Sequence, residues 1–192
     1  MRVVVIDHED SFSYNLVQGL AEAGAEVRCL RYTEPWTAVA RQRPGAIVLS
    51  PGPGHPSDRR VTRTARAVLR RLSGRIPTLG VCLGHQIIGD AFGARIVRGR
   101  PVHGETTPVR HAPDPIFDGM PNPFAAARYH SLRVARHPMP PALRPIAWAP
   151  DGSLMAVRHA NAPIVGVQFH PESFLTEGGP RMLRNFLAEA AR

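Results

Sequence analysis

The sequence predicts an α/β protein, a single domain over residues 1–192, with an open, mostly parallel sheet, flanking helices and added antiparallel strands. Three observations predict it. The 192 residues fall in the range of one domain with a core of its own. Through the first half, short apolar runs alternate with amphipathic stretches, the pattern of βαβ units. After Gly93 the pattern changes to short apolar segments divided by Pro- and Gly-rich turns, which reads as antiparallel strands joined to the same sheet.

Each element follows in order. Val3 to Ile6 is a short, continuous apolar run, as expected of a parallel strand buried on both faces. Phe12, Leu16, Leu20 and Ala23 recur on one helical face, with Asp10 or Ser11 placed to cap the start and Gly24 to end it. Glu26 to Leu30 closes the unit as a second buried strand, and Ala46 to Leu49 and Pro77 to Val81 are the next two. Between those, Val61, Ala65, Val68 and Leu72 interleave with Arg59, Arg60, Arg63, Arg66, Arg70 and Arg71 at helical spacing, so this basic run reads as the solvated face of an amphipathic helix. Ala94 to Val97, Ile146 to Trp148, Leu154 to Arg158 and Ile164 to Phe169 are the added strands. Pro113 to Pro123 and Pro138 to Pro145 read as surface loops. A last helix starts near Pro180 and turns Met182, Leu183, Phe186 and Leu187 inward.

Composition narrows the class. At 43% hydrophobic and 20% charged residues, disorder is excluded as the dominant state. The chain carries 24 basic against 15 acidic residues, a net +9, but every basic residue is Arg. That uniformity reads as a compositional bias, and neither a nucleic-acid nor a membrane partner is expected. The first apolar run is broken at once by Asp7-His8-Glu9-Asp10, unlike a signal peptide, and no run approaches the roughly 18 apolar residues of a membrane span. With only Cys29 and Cys82, free thiols and a cytoplasmic location are expected.

The strongest chemical signal is Gly80-Val81-Cys82-Leu83-Gly84-His85-Gln86, where an apolar strand turns into a helix. This is a nucleophile elbow with Cys in the place of Ser. The sharp turn strains the central residue, and Gly80 and Gly84 leave room for it. The thiol then projects at a helix N-terminus, whose dipole favours thiolate, and the Leu83 amide is placed to donate to an oxyanion. Cys29 lies in a strand-like run without glycines and reads as an inert buried thiol.

A second signal completes the first. Gly166-Val167-Gln168-Phe169-His170-Pro171-Glu172-Ser173 ends an apolar strand, with Pro171 as the terminator. His170 is the candidate general base and acid for the Cys82 sulfur, and Glu172 the acceptor that fixes its tautomer.

With these two motifs the sequence resembles the class I (triad) glutamine amidotransferases, over nearly the whole chain. Asp10-Ser11-Phe12 with Tyr14-Asn15-Leu16, Ser50-Pro51-Gly52-Pro53-Gly54 and Arg128-Tyr129-His130-Ser131-Leu132 point to the branch that serves chorismate-utilising synthases of anthranilate and aminodeoxychorismate. The resemblance implies the flavodoxin-like class I amidotransferase fold and a glutaminase. Cys82, His170 and Glu172 would be its catalytic residues. The Ser50 to Gly54 loop would supply a second oxyanion amide from Gly54 and backbone contacts to glutamine from Gly52. Gln86 and the backbone of Ser131 and Leu132 would hold the amino-acid end of L-glutamine. A chorismate-binding large subunit is the implied partner, since no acceptor-activating domain fits in 192 residues.

The glycine-rich loop lacks the Lys and Ser/Thr of a P-loop, so it is not read as a phosphate site. His85, His103 and His130 show no metal spacing, and neither metal nor cofactor is expected. Two positions depart from the resemblance, His8 where relatives usually carry Asn and Glu105 where they carry Lys. His8 follows the first strand at the loop edge where Cys82 also emerges, and of two readings, a support of the site or a surface histidine, the second is favoured. A stand-alone Cys-His-Glu γ-glutamyl hydrolase or peptidase is the competing reading, and ammonia release from free glutamine separates the two.

Overall fold

Successive side chains of a strand point to opposite faces of its sheet. Along β1 (Arg2–Asp7) both faces are buried. Val3 and Val5 join a core with Leu16 and Leu20 of α1 (Ser13–Glu22) and Met182, Leu183 and Phe186 of α5 (Gly179–Ala190). Val4 and Ile6 join a second core, made with Val39 of α2 (Trp36–Arg41), Ala65 and Val68 of α3 (Arg59–Arg71), and Ile87 and Ile88 of α4 (Leu83–Ala91). Two helices therefore cover one face and three the other. The computed structural model describes residues 1–192.

The remaining strands are β2 (Glu26–Arg31), β3 (Ala46–Leu49), β4 (Thr78–Val81), β5 (Ile96–His111), β6 (Phe124–Val134), β7 (Leu143–Trp148), β8 (Leu154–His159) and β9 (Ile164–Val167). Their order is β2-β1-β3-β4-β9-β8-β7-β5-β6. The first five are parallel and the rest add antiparallel ribbons. The order 2-1-3-4 followed by one more parallel strand is the doubly wound, flavodoxin-like arrangement, whose ligand crevice lies outside the carboxyl ends of the strands.

Several expectations change. Ile164 to Phe169 is no antiparallel addition: β9 lies parallel to β4, with Val81 opposite Val167. The strand stops at Val167, so Pro171 is not its terminator. The run 26–30 is not buried on both faces, because β2 is the sheet edge, and Cys29 is exposed. Neither Asp10 nor Ser11 caps α1. Phe12 holds the cap position, and Asp10 acts one turn earlier, accepting from the Phe12 amide at 2.8 Å through its carboxylate and from the Ser13 amide at 3.1 Å through its carbonyl.

The basic face of α3 is solvated as expected except at Arg66, which is buried and paired with Asp90 of α4. The helix α2 and the long hairpin β5–β6 beyond the start of β5, which the run Ala94 to Val97 marks, carry no clear sequence signal. The segment 113–123 is not a plain surface loop. Ile116 and Phe117, in a 3-10 turn at Pro115–Phe117, and Met120 all enter the first core. The segment 138–145 likewise ends in β7, with Leu143 buried.

Candidate active site

The carboxyl ends of β1, β3, β4 and β9 converge, and each delivers one part of the site. From β4 the chain turns straight into α4 through Cys82, which holds φ 50° and ψ −97°. A non-glycine residue there costs of the order of 1–3 kcal/mol and persists only where the surroundings impose it. The imposition is visible. A Cβ on Gly80 would meet the Gly84 carbonyl at 2.6 Å, and one on Gly84 would overlap the backbone of Leu49 in β3. Strand and helix thus approach within backbone contact, and the residue between them absorbs the strain. The Leu83 amide, first in α4, has no carbonyl one turn back to bond, so it is free for a ligand.

From β3 the chain enters Ser50 to Gly54. Gly54 adopts φ +107°, a region closed to most side chains, and its amide donates to no other group of the chain. Beneath this loop lies His8, at the end of β1. It is not a surface residue. It is 1% exposed, its backbone amide donates to Ser50 Oγ at 2.9 Å, and its Nδ1 lies 3.3 Å from the same oxygen. Ser50 Oγ in turn donates to the Pro51 carbonyl at 2.6 Å. Burial lowers the His8 pKa to about 4, against the opposing pull of Asp7, so the ring is neutral. A residue read as exposed is a prop of the glycine loop.

From β9 come Gln168, His170 and Glu172. His170 Nδ1 and Glu172 Oε1 are 2.7 Å apart and both side chains are buried. Phe12 and Tyr129 set their rings edge-on to the imidazole, with centroids at 5.5 and 5.2 Å. Nε2 has no hydrogen-bond partner, yet the Cys82 sulfur is near enough to act on the ring. Burial alone would lower the His170 pKa, but Cys82 and Glu172 outweigh it and raise it to about 10. The backbone of this turn is anchored to β6: the His170 amide donates to the Ala127 carbonyl at 3.1 Å, and Thr176 Oγ1 to the His170 carbonyl at 2.6 Å.

A cavity of about 190 Å³ opens beside the thiol. Gly52, Gly54, Cys82, Leu83, Gln86, Ser131 and Leu132 line it, together with Tyr129 and His130. Gln86 donates to the Leu132 carbonyl at 2.8 Å and to Gln168 Oε1 at 3.2 Å. A second cavity, of about 400 Å³, shares Gly52, Cys82 and Tyr129 with the first and adds His170, Phe12 and His103. The structure thus brings Cys82, His170 and Glu172 together, and places the six other predicted residues on the wall of the first cavity. The sequence reading missed Gln168 and the burial of His8 and His130. Only Gln168 carried a signal, as the one polar residue between Val167 and Phe169 in an otherwise apolar run.

Fold and site together define a class: doubly wound α/β proteins that carry an elbow cysteine, with imidazole and carboxylate beside it, at the carboxyl edge of the sheet. Residues 4–190 match the family model "Glutamine amidotransferase class-I". The chain belongs to that family. It is 47% identical to anthranilate synthase component 2 of Pseudomonas aeruginosa, over 97% of this chain and 95% of that protein. It is 42% identical to aminodeoxychorismate/anthranilate synthase component 2 of Bacillus subtilis, over 96% and 95%. A solved structure described as a GMP synthase protein of Thermoplasma acidophilum superposes with a TM-score of 0.89, covering 100% of this chain and 94% of that one. At 23% identity, it bears on the fold alone.

Proposed function

We propose that residues 1–192 form one amidotransferase domain that hydrolyses L-glutamine at Cys82 and passes the ammonia to a chorismate-utilising synthase subunit, of the anthranilate or aminodeoxychorismate kind. The observation that carries the reading is the buried Cys82, His170 and Glu172 constellation against a small cavity that includes Cys82 in its wall. The names of the two relatives support the partner. Unpaired Cys29 and Cys82 suit a reducing, cytoplasmic setting.

The chemistry is acyl transfer. The Cys82 thiolate attacks the side-chain amide carbon of glutamine, and the charge that develops on oxygen is collected by the Leu83 and Gly54 amides, which are unoccupied by the chain's own carbonyls. His170, held as imidazolium by its two neighbours, protonates the departing nitrogen, and ammonia leaves. Glu172 keeps the proton on Nδ1 and so directs Nε2 at the reacting atoms. Water, deprotonated by the now neutral His170, attacks the glutamyl thioester, and glutamate departs as the thiolate reforms. No Asp, Glu or Arg lines the first cavity, so Gly52, Gln86 and the backbone of Ser131 and Leu132 hold the amino-acid end by dipoles.

Ammonia is useful to an acceptor only before bulk water protonates it. The second cavity reaches Cys82 from the His170 side and is the route away from the glutamine site. Tyr14 and Phe174, 81% and 94% exposed, stand two and four residues from Phe12 and His170 and offer the aromatic surface a partner protein buries. The test is ammonia release from free glutamine by the chain alone and with a chorismate-binding subunit. Stimulation by that subunit supports the reading, and full activity on γ-glutamyl conjugates without it supports a stand-alone hydrolase.

A further inference from the structure

Gln168 is wholly buried, and the steps above give it no task. Its backbone is fixed first: its amide donates to the Met155 carbonyl in β8 at 2.8 Å, just past the end of β9. Its side chain lies between Gln86 and the thiol. Gln168 Oε1 is 3.2 Å from Gln86 Nε2, and Gln168 Nε2 is 3.7 Å from Cys82 Sγ.

The direction of these bonds follows from one acceptor. The Leu132 carbonyl can only accept, and it receives the His130 ring at 3.0 Å and the Gln86 side chain at 2.8 Å. The end of Gln86 beside it must therefore be the NH2 group. The second hydrogen of that NH2 points at Gln168, so the nearer atom of Gln168 must be its oxygen. The Gln168 NH2 group is then turned on the sulfur. A carbonyl on β6 thus sets, through two amides, the presence of an N–H donor at Cys82.

We propose that Gln168 is a catalytic residue, an N–H donor that holds and aims the Cys82 thiolate, and that Gln86 orients it. The donor favours the ionised sulfur before attack and again when the thiolate leaves the thioester, where the same charge returns. Neutral amides suit this position. The His170 imidazolium already supplies the charge beside the sulfur, and an apolar side chain at 168 would leave the buried thiolate with one fewer partner. The proposal rests on Cys82 being the nucleophile.

The test reads the thiol directly and needs no glutamine, so the contact of Gln86 with substrate is silent in it. In a Cys29→Ser background, which removes the exposed thiol, carbamidomethylation of Cys82 by iodoacetamide is followed against pH by mass spectrometry. Gln168→Met should slow labelling at pH 7 about tenfold and move the pH–rate profile upward, the loss expected of one hydrogen bond to a charged group. Gln86→Met should slow it by a smaller factor, and the double variant no further than Gln168→Met alone. Wild-type labelling in Gln168→Met, or single effects that multiply in the double variant, would overturn the proposal. Thermal unfolding checks that each variant is folded. Should Gln168→Met fail that check, Gln86→Met alone decides, and its labelling at the wild-type rate overturns the orientation argument. Failure of the nucleophile reading shows elsewhere, as glutamine-dependent activity in Cys82→Ser.

Discussion

His170 and Glu172 are separated by a single proline, yet their side chains meet at 2.7 Å inside the protein. The turn that allows this is tied to β6 through Ala127 and Thr176, so the two side chains are set by backbone contacts rather than by each other alone. The two residues should therefore fail differently. His170→Ala removes proton transfer and should lower glutamine-dependent turnover by roughly 10²- to 10⁴-fold. Glu172→Gln keeps an acceptor oxygen near Nδ1 and should lose less. Steady-state glutamate release, normalised to folded protein, checks the order, and equal small losses would remove both from the mechanism.

The two thiols offer an internal comparison. Cys82 lies on a strained elbow beside a raised-pKa histidine, whereas Cys29 is on the edge strand, where partial burial and Asp7 push its pKa up. A glutamine analogue with an electrophilic side chain should label Cys82 alone, although Cys29 is the more exposed of the pair. Peptide mass spectrometry after labelling would show otherwise. Exposure alone predicts the opposite result.

How much of this was legible in the sequence depends on whether a signal was local. The elbow was, because Gly80 answers a backbone contact with Gly84 made within one strand–turn–helix unit, although Gly84 also answers Leu49 of the neighbouring strand. So was the inward face of α5. His8 was not: its burial comes from Ser50, 42 residues away, and from Tyr32, whose ring stacks on it at 6.0 Å. The hairpin β5–β6 was hidden for another reason. Pro101 and Gly104 break the strand pattern, and the structure accommodates them with register shifts between Arg98 and Val102 and between His103 and Glu105, while Pro108 stays in register opposite Ala125. Edge position also misled, since the charges of Glu26, Arg28 and Arg31 belong to a strand with one neighbour.

Acid should destabilise the fold before it reaches the carboxylates. Burial lowers His8 to about 4, His85 to about 3 and His130 to about 4, the last also through Arg128. Each lies below the 6.5 of an unfolded chain. The contribution of these three is complete above pH 6.5 and is lost as pH falls toward 3 to 4, because the unfolded chain takes up protons that the folded one refuses. At pH 5 the loss is about 2 kcal/mol for each of the three. His170, raised to about 10, has the reverse sign: its contribution is already full below 6.5 and offsets none of this decline. Urea midpoints at pH 7 and pH 5 measure the effect, and equal midpoints would refute it.

Pro53 and Gly54 are exposed, so under the proposed mechanism a partner that touches the Ser50 to Gly54 loop should set the alignment of its oxyanion amide. A differential binding free energy of about 1–3 kcal/mol corresponds to roughly 5- to 150-fold activation. Glutamate release by the chain should rise by a factor in that range when a cognate chorismate-utilising subunit is added. A rate independent of that subunit would count against the coupling.

On this mechanism, glutamine nitrogen reaches a chorismate-derived product only through Cys82. The decisive measurement assembles the chain with its synthase partner and supplies chorismate with either glutamine or ammonium as the nitrogen source. With the wild-type chain, product should form from both sources. With Cys82→Ser it should form from ammonium at the wild-type rate and not from glutamine. Undiminished product from glutamine in the Cys82→Ser complex would contradict the mechanism.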